Sequence, residues 1–175
     1  MLALSLGAST LLSSAAVAMP SSPELGKAEG RCRTDETGPA FMVTASGLKD
    51  RQGSLKLEVY PANDADFLAD DNVLLGSGKM FRRVEVPVPA SGPVRLCIRV
   101  PAAGTYALSL LHDRDVDRKF SWRIDGIGFA GNPKLGWSKP KAALASARAG
   151  ERLTPITIVL NYRSGLGVAP LKRTN

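Results

Sequence analysis

Apolar and polar residues alternate along most of the chain, and this pattern predicts an all-β protein. Leu55, Leu57 and Val59 occupy every second position of one run, with charged residues between them, which is the period of a strand with one buried face. In the stretch 105–112 apolar residues occupy both faces, which predicts a central strand. The pattern predicts about seven strands, at 40–45, 54–60, 80–88, 94–100, 105–112, 120–129 and 154–162. Short strands separated by turns are typical of an antiparallel two-sheet sandwich.

Two local features refine this prediction. The polar turn at 47–53 predicts a hairpin between the first two strands. Helical propensity is confined to one turn within 64–75 and to the alanine-rich segment 141–149. We therefore predict few helices within a single domain, since 175 residues suffice for one ordinary domain.

The first 18 residues have the features of a secretory signal peptide. Residues 2–17 carry no charged side chain, and Ala16 and Ala18 fit the rule for signal peptidase, with cleavage before Met19. We therefore predict export to the periplasm or the cell exterior. The segment 19–39 is predicted to be an irregular lead-in, 40–163 the β-sandwich domain and 164–175 a C-terminal tail. No later segment is apolar over a membrane-spanning length, so the protein is predicted not to span a membrane.

Cys32 and Cys97 are the only cysteines of the chain. In an exported protein such a pair is more often a disulfide than a metal or redox site. A bridge would join the lead-in to a central strand and would contribute about 4 kcal/mol in the chain-entropy model. Two free thiols are the alternative.

The charge balance favours anionic partners. Lysine and arginine number 23 against 16 aspartates and glutamates, which gives a formal net charge of +7. Such an excess suits an anionic glycan, lipid or protein of the cell envelope. The basic residues are scattered, so a solvated basic surface without a specific partner is the alternative. Nucleic acid is not expected as a partner of an exported protein.

Five ordered segments carry a resemblance to a known family. They are a strand at 53–60, a Pro-Ala-Ala-Gly turn with Tyr106 and Ala107 at 100–107, the pair His112-Asp113, the glycine-rich segment 126–129 and a closing strand at 156–162. In this order they resemble the uncharacterised exported bacterial proteins called domain of unknown function family 2141. The resemblance implies a small secreted sandwich, immunoglobulin-like or prealbumin-like, and it implies no activity. The turn after Asp113 departs from the family, which usually has asparagine and glycine where this chain has residues such as Arg118.

Asp113, Asp115 and Asp117 have the spacing that opens a calcium-binding loop. Such a loop has a sharp glycine turn and ends on a bidentate glutamate, at positions that hold Arg118 and Ile124 here. Four basic residues, Arg114, Arg118, Lys119 and Arg123, match the four acidic residues Asp113, Asp115, Asp117 and Asp125 in number. Two interpretations remain: a module stabilised by calcium as a cofactor, or a turn whose carboxylates pair with these basic residues and cap loop amides.

His112 is the only histidine, which excludes a zinc site built from several histidines of one chain. A hydrolase using His112 and Asp113 would need a nucleophile. Ser109 lies on the opposite face of the predicted strand, and no Gly-x-Ser-x-Gly motif occurs. We therefore assign no catalytic residue, and the alternative is that His112 fixes a corner between two strands through hydrogen bonds.

Trp137 lies in a lysine-containing polar loop at 132–140. A tryptophan in this setting either stacks on a sugar or lies at a membrane interface, or it folds over the open end of the sandwich. We take His112, Asp113 and Trp137 as candidate binding residues. The sequence favours a non-catalytic binding or structural module of the cell envelope.

Overall fold

The computed structural model describes residues 19–171, so the predicted signal peptide at 1–18 lies outside the described residues. The elements in this part of the chain are α1 (Lys27–Gly30), β1 (Ala40–Ser46), β2 (Ser54–Pro61), α2 (Asp71–Gly76), β3 (Arg82–Pro87), β4 (Val94–Arg99), β5 (Gly104–Asp113), β6 (Gly126–Phe129), a 3-10 turn (Ala142–Ala145), β7 (Ser146–Ala149), β8 (Leu153–Val159), β9 (Asn161–Ser164) and β10 (Gly167–Pro170). None of the helices described is long and apolar enough to cross a membrane.

The strands form two sheets, which confirms the all-β sandwich. The smaller sheet has the order β4-β1-β8. The larger has the order β10-β9-β6-β5-β2-β3, and β7 pairs with the first half of β5. The pairs are antiparallel except that of β1 with β8, which is parallel. This exception corrects the purely antiparallel prediction, because the long chain between β1 and β8 leaves room for the crossover that a parallel pair needs.

The predicted hairpin between the first two strands is wrong. β1 pairs with β4 and β8, whereas β2 pairs with β3 and β5 in the other sheet. The turn at 47–53 therefore crosses from one sheet to the other. This crossing places the apolar face of β1, with Phe41 and Val43, opposite the apolar face of β2, with Leu55 and Leu57, so that each covers the other.

The inner faces of the two sheets enclose the main core. The predicted alternation of β4 is confirmed, since Val94, Leu96 and Ile98 are buried in this core. The disulfide between Cys32 and Cys97 is also confirmed. Because Cys97 occupies an alternate position of β4, the bridge lies on the outer face of the small sheet, where it holds the N-terminal segment.

The outer face of the larger sheet is only half covered. Tyr60 and Ala107 pack beneath the segment 62–81, which contributes Phe67, Leu74 and Phe81 to a second apolar cluster. Phe67 of this segment also packs against Phe129 of β6, with ring centroids 5.7 Å apart, and the part of the face around Leu111 and Ile127 borders an open cavity. This part of the face is the region where the candidate site lies.

Several strand boundaries differ from the predicted ones. Within 120–129 only Gly126–Phe129 pairs, and the predicted strand 154–162 divides into β8 in one sheet and β9 in the other. The alanine-rich segment forms a 3-10 turn and β7, because pairing with β5 outweighs helix propensity. β10 extends the sheet into the predicted tail.

Candidate functional site

His112 lies at the end of β5 and is fully buried. Its Nε2 lies 2.8 Å from the carbonyl oxygen of Gln52, and its Nδ1 lies 2.6 Å from the hydroxyl of Tyr162. A carbonyl oxygen only accepts, so Nε2 carries the proton and the Tyr162 hydroxyl donates to Nδ1. The same hydroxyl accepts the backbone N–H of Lys49 at 3.1 Å. The side-chain polar atoms of this corner are therefore all paired.

The electrostatics agree with this arrangement. Burial lowers the pKa of His112 and raises the pKa of Tyr162 to about 12. Both side chains are therefore neutral near pH 7, as their hydrogen bonds require. Ser109 lies on the opposite, outer face of β5, opposite Phe129 of β6, so the sheet separates its hydroxyl from the imidazole. This geometry supports the structural-corner interpretation of His112 and gives no support to the hydrolase hypothesis.

Asp113 begins the connection from β5 to β6, which also carries three other aspartates. One carboxylate oxygen from each of Asp113, Asp115, Asp117 and Asp125 lies within 4.8 Å of the other three. The structure thus brings together the three aspartates selected by their spacing and adds Asp125. We call these four residues the aspartate cluster. Arg118, at the expected glycine position, has a φ of 69°, so the left-handed turn is made without glycine.

Some carboxylate oxygens of the cluster cap the loop. The N–H of Arg118 donates to Asp113 Oδ2 at 2.8 Å, and the N–H groups of Arg114 and Ser121 donate to Asp125 at 2.9 and 2.7 Å. Asp113 Oδ1 differs, because it is buried and has no hydrogen-bond partner among the described residues. Burial raises the pKa of Asp113, and the charge of Asp125 raises it further, against the opposing effect of the Arg118 N–H.

The arginines of this loop contact groups outside the aspartate cluster. Arg114 Nε donates to Asp50 Oδ2 at 2.9 Å, and Arg118 Nη2 donates to Glu85 Oε2 at 2.9 Å. Arg123 lies over the indole ring that precedes it, 5.6 Å from the centroid. Within residues 19–171 no ion pair involves the aspartate cluster. The interpretation that these arginines neutralise the aspartates is therefore wrong, although the predicted capping of loop amides is present.

An open groove of about 550 Å³ lies beside the cluster on the outer face of the larger sheet. Its floor is formed by Leu111 and Ser109 of β5 and by Ile127 and Phe129 of β6. Four separate segments of the chain form its walls. The residues that line these walls are Leu68, Phe120, Trp122, Leu135, Gly136, Trp137, Ser138, Lys139, Pro140, Leu166, Gly167 and Val168. We call this cavity the outer groove, and its lining is mainly aliphatic and aromatic.

The walls of the outer groove expose large apolar side chains. Trp137 is 86% exposed and Leu166 is 76% exposed, and Phe120 and Trp122 are also exposed. Soluble proteins do expose single apolar residues, but a contiguous apolar patch marks a binding surface. Trp137 therefore lines a cavity rather than covering the end of the sandwich. Its candidate role in binding stays a prediction, and His112 and Asp113 do not line this cavity.

Two arginine side chains lie beside Trp122 in one wall of the groove. The guanidinium of Arg163 lies 4.8 Å from the centroid of the Trp122 ring, and Arg123 lies near the same ring. Both arginines are exposed, and no ion pair within the described part of the chain involves either of them. Lys56 and Lys139 also line the groove, but their ammonium groups donate to backbone carbonyls.

The fold and this geometry define an all-β sandwich with a ligand-sized groove on one outer face. The model of a bacterial family, described as an uncharacterised protein conserved in bacteria (domain of unknown function 2141), matches residues 43–157. Since the match covers more than half of the chain, the chain belongs to this family. No curated protein and no solved structure matches the chain.

Sequence reasoning missed two parts of this site. Asp125 stands one residue after the twelfth position of the calcium-loop pattern, so a search at fixed spacing passes over it. Trp122 was assigned to a strand, whereas it lies in a loop next to Arg163 of β9. The tryptophan and arginine-rich composition of 118–123 was the available signal for an exposed loop.

Proposed function

We infer that this protein is an exported, non-catalytic binding module whose outer groove holds the apolar chain of an amphiphile with an anionic head group. The single observation that carries this proposal is the open apolar groove beside Trp122, around which lie Arg123 and Arg163, two arginines without an ion pair in residues 19–171. Ligand sites of proteins are concave and mostly apolar, with few polar groups, and 550 Å³ lies within the usual range of volumes.

The lining favours an alkyl chain over a glycan. A sugar needs many free hydrogen-bonding side chains, whereas the apolar part of the floor consists of Leu111, Ile127 and Phe129. The polar side chains beside them are Ser109, Lys56 and Glu58, and the last two already bond within the protein, Lys56 to the carbonyl of Arg118 and Glu58 to Tyr60 and Arg83. Burial of each methylene group of a chain contributes about 0.8 kcal/mol. Arg123 and Arg163 supply positive charge for a carboxylate or phosphate at the groove edge.

Export is part of the same proposal. The disulfide between Cys32 and Cys97 supports an oxidising compartment, where such bonds form and persist. A net charge of +7 also favours anionic partners of a cell envelope. His112 is bonded to Tyr162 and Gln52 and does not line the groove.

The test is calorimetric titration of the protein with dodecanoate below its micelle concentration. We expect saturable binding of one molecule per chain, at least tenfold weaker binding of dodecyltrimethylammonium, and no binding of maltohexaose. The cationic amphiphile has the same chain length, so it separates the role of the arginines from that of apolar burial. Equal binding of both amphiphiles would contradict the anionic head group, and binding of maltohexaose alone would favour a glycan.

Matched variants locate the binding. Trp137→Ala should weaken dodecanoate binding about tenfold, which corresponds to about 1.4 kcal/mol, because it removes a wall of the groove. Leu144→Ala removes an exposed apolar side chain outside the groove and should leave the affinity unchanged. Arg163→Gln should weaken binding, whereas Arg152→Gln, on an exposed turn away from the groove, should not. If the two members of each pair behave alike, the ligand does not occupy the outer groove.

A further inference from the structure

The aspartate cluster combines an acidic group with a buried oxygen that lacks a partner. Four carboxylates meet at the end of β5, and Asp113, which is fully buried, holds an oxygen without any hydrogen bond among the described residues. Buried carboxylate oxygens in folded proteins are nearly always bonded to a donor or a cation. An orphan oxygen within a group of anions thus indicates a missing cation rather than a missing donor.

Among the residues that the structure describes, no side chain supplies that cation. Arg114 and Arg118, which stand nearest in sequence, bind Asp50 and Glu85 instead. The backbone N–H groups that cap the loop use Asp113 Oδ2, Asp117 Oδ1 and the two oxygens of Asp125. Each carboxylate oxygen keeps a second lone pair after such a bond, so capping and metal coordination are compatible.

We propose that the aspartate cluster is a calcium site that holds together the loop between β5 and β6. The donors are all carboxylate oxygens, which suit calcium, magnesium or manganese and not zinc or copper. Two ligands of one calcium ion, each at a calcium–oxygen distance of about 2.4 Å, lie at most about 4.8 Å apart, and the four carboxylate oxygens meet this limit. Calcium accepts the irregular arrangement of an exposed loop, whereas magnesium requires near-octahedral geometry.

The site would stabilise one wall of the outer groove. The bound ion would link Asp113, at the end of β5, to Asp125, just before β6, across the loop that carries Phe120 and Trp122. Lys56 of β2 ties the same loop to the sheet, because its ammonium group donates to the carbonyl of Arg118 at 2.9 Å. This inference is independent of the amphiphile proposal, because calcium binding needs no ligand in the groove.

The experiment is calorimetric titration of the chelator-treated protein with calcium chloride, without any amphiphile present. We expect one saturable site per chain and, at 100 times the dissociation constant, a rise of about 5–10 °C in the melting temperature. Asp115→Asn should weaken binding at least tenfold. Because Asp115 is exposed, this variant is expected to fold, and circular dichroism verifies that it does.

The control is Asp35→Asn, which makes the same charge change at an exposed aspartate outside the cluster and should leave calcium affinity unchanged. The absence of saturable binding would overturn the proposal. So would equal losses in the two variants, because they would indicate diffuse electrostatic attraction. Equal affinity for magnesium chloride would overturn the assignment to calcium. Dodecanoate binding in chelator would still test the groove separately.

Discussion

Two adjacent polar residues on opposite faces of strand β5 differ in how completely their side chains are hydrogen-bonded. His112, on the inner side, is buried with both ring nitrogens bonded to Tyr162 and Gln52. Asp113, the next residue, is equally buried but keeps one oxygen without a partner. A fully paired buried group serves the fold, whereas an unpaired one indicates a ligand. Of the His-Asp pair, the aspartate is therefore the member on which the proposed calcium site depends.

The same contrast extends to the apolar residues of β5. Leu110 is fully buried between the two sheets, whereas Leu111 forms the floor of the outer groove. Inner side chains have protein on all sides. The outer ones are covered by loops that leave a cavity open to solvent. The inner face thus supplies the stability that allows the outer face to stay partly uncovered.

The largest expected effect sharpens this contrast between adjacent leucines. Leu110→Ala should lower the free energy of unfolding by about 2–5 kcal/mol, because it leaves a cavity in a closed core. Leu111→Ala should cost only about 1–2 kcal/mol, because solvent can enter the open groove. Urea denaturation measures both values. Dodecanoate affinity should fall in Leu111→Ala and stay unchanged in Leu110→Ala, and a reversed pattern would mean that the functional face is misassigned.

A smaller effect compares the polar neighbours. Tyr162→Phe should lower the free energy of unfolding by about 1–3 kcal/mol, since it leaves the buried His112 Nδ1 without a partner and removes the acceptor of the Lys49 N–H. Asp113→Asn in chelator should cost less than that, or stabilise, because it removes a buried charge near Asp125. Thermal melts in chelator give the comparison. A larger loss for Asp113→Asn than for Tyr162→Phe would show that the aspartate serves the fold as an anion.

Local pattern was sufficient to predict much of the fold. Alternation identified the inner faces of β2 and β4, because one buried face imposes a period of two on any sheet. It did not identify which sheet a strand joins. The turn at 47–53 has a length and composition that suit both a hairpin and a crossing between sheets, so the pairing of β1 with β8 was not predictable from the local sequence.

The candidate site was less predictable, because it depends on long-range partners. Counting charges in 113–125 predicted neutral pairing within the loop, whereas Arg114 reaches Asp50 in the turn at 47–53 and Arg118 reaches Glu85 of β3. The outer groove likewise assembles Trp122, Trp137 and Leu166 from three separate loops. No periodicity connects such residues, and only the folded sheet brings them together.

The most direct test of the account uses the tryptophans themselves. The chain has two tryptophans, and Trp122 and Trp137 both line the outer groove, so the intrinsic emission reports on that cavity alone. We predict that saturating dodecanoate shifts the emission to shorter wavelength and protects it from acrylamide quenching, because the chain displaces water from both indoles. Calorimetric binding of dodecanoate with unchanged emission and quenching would contradict the claim that the groove is the binding site.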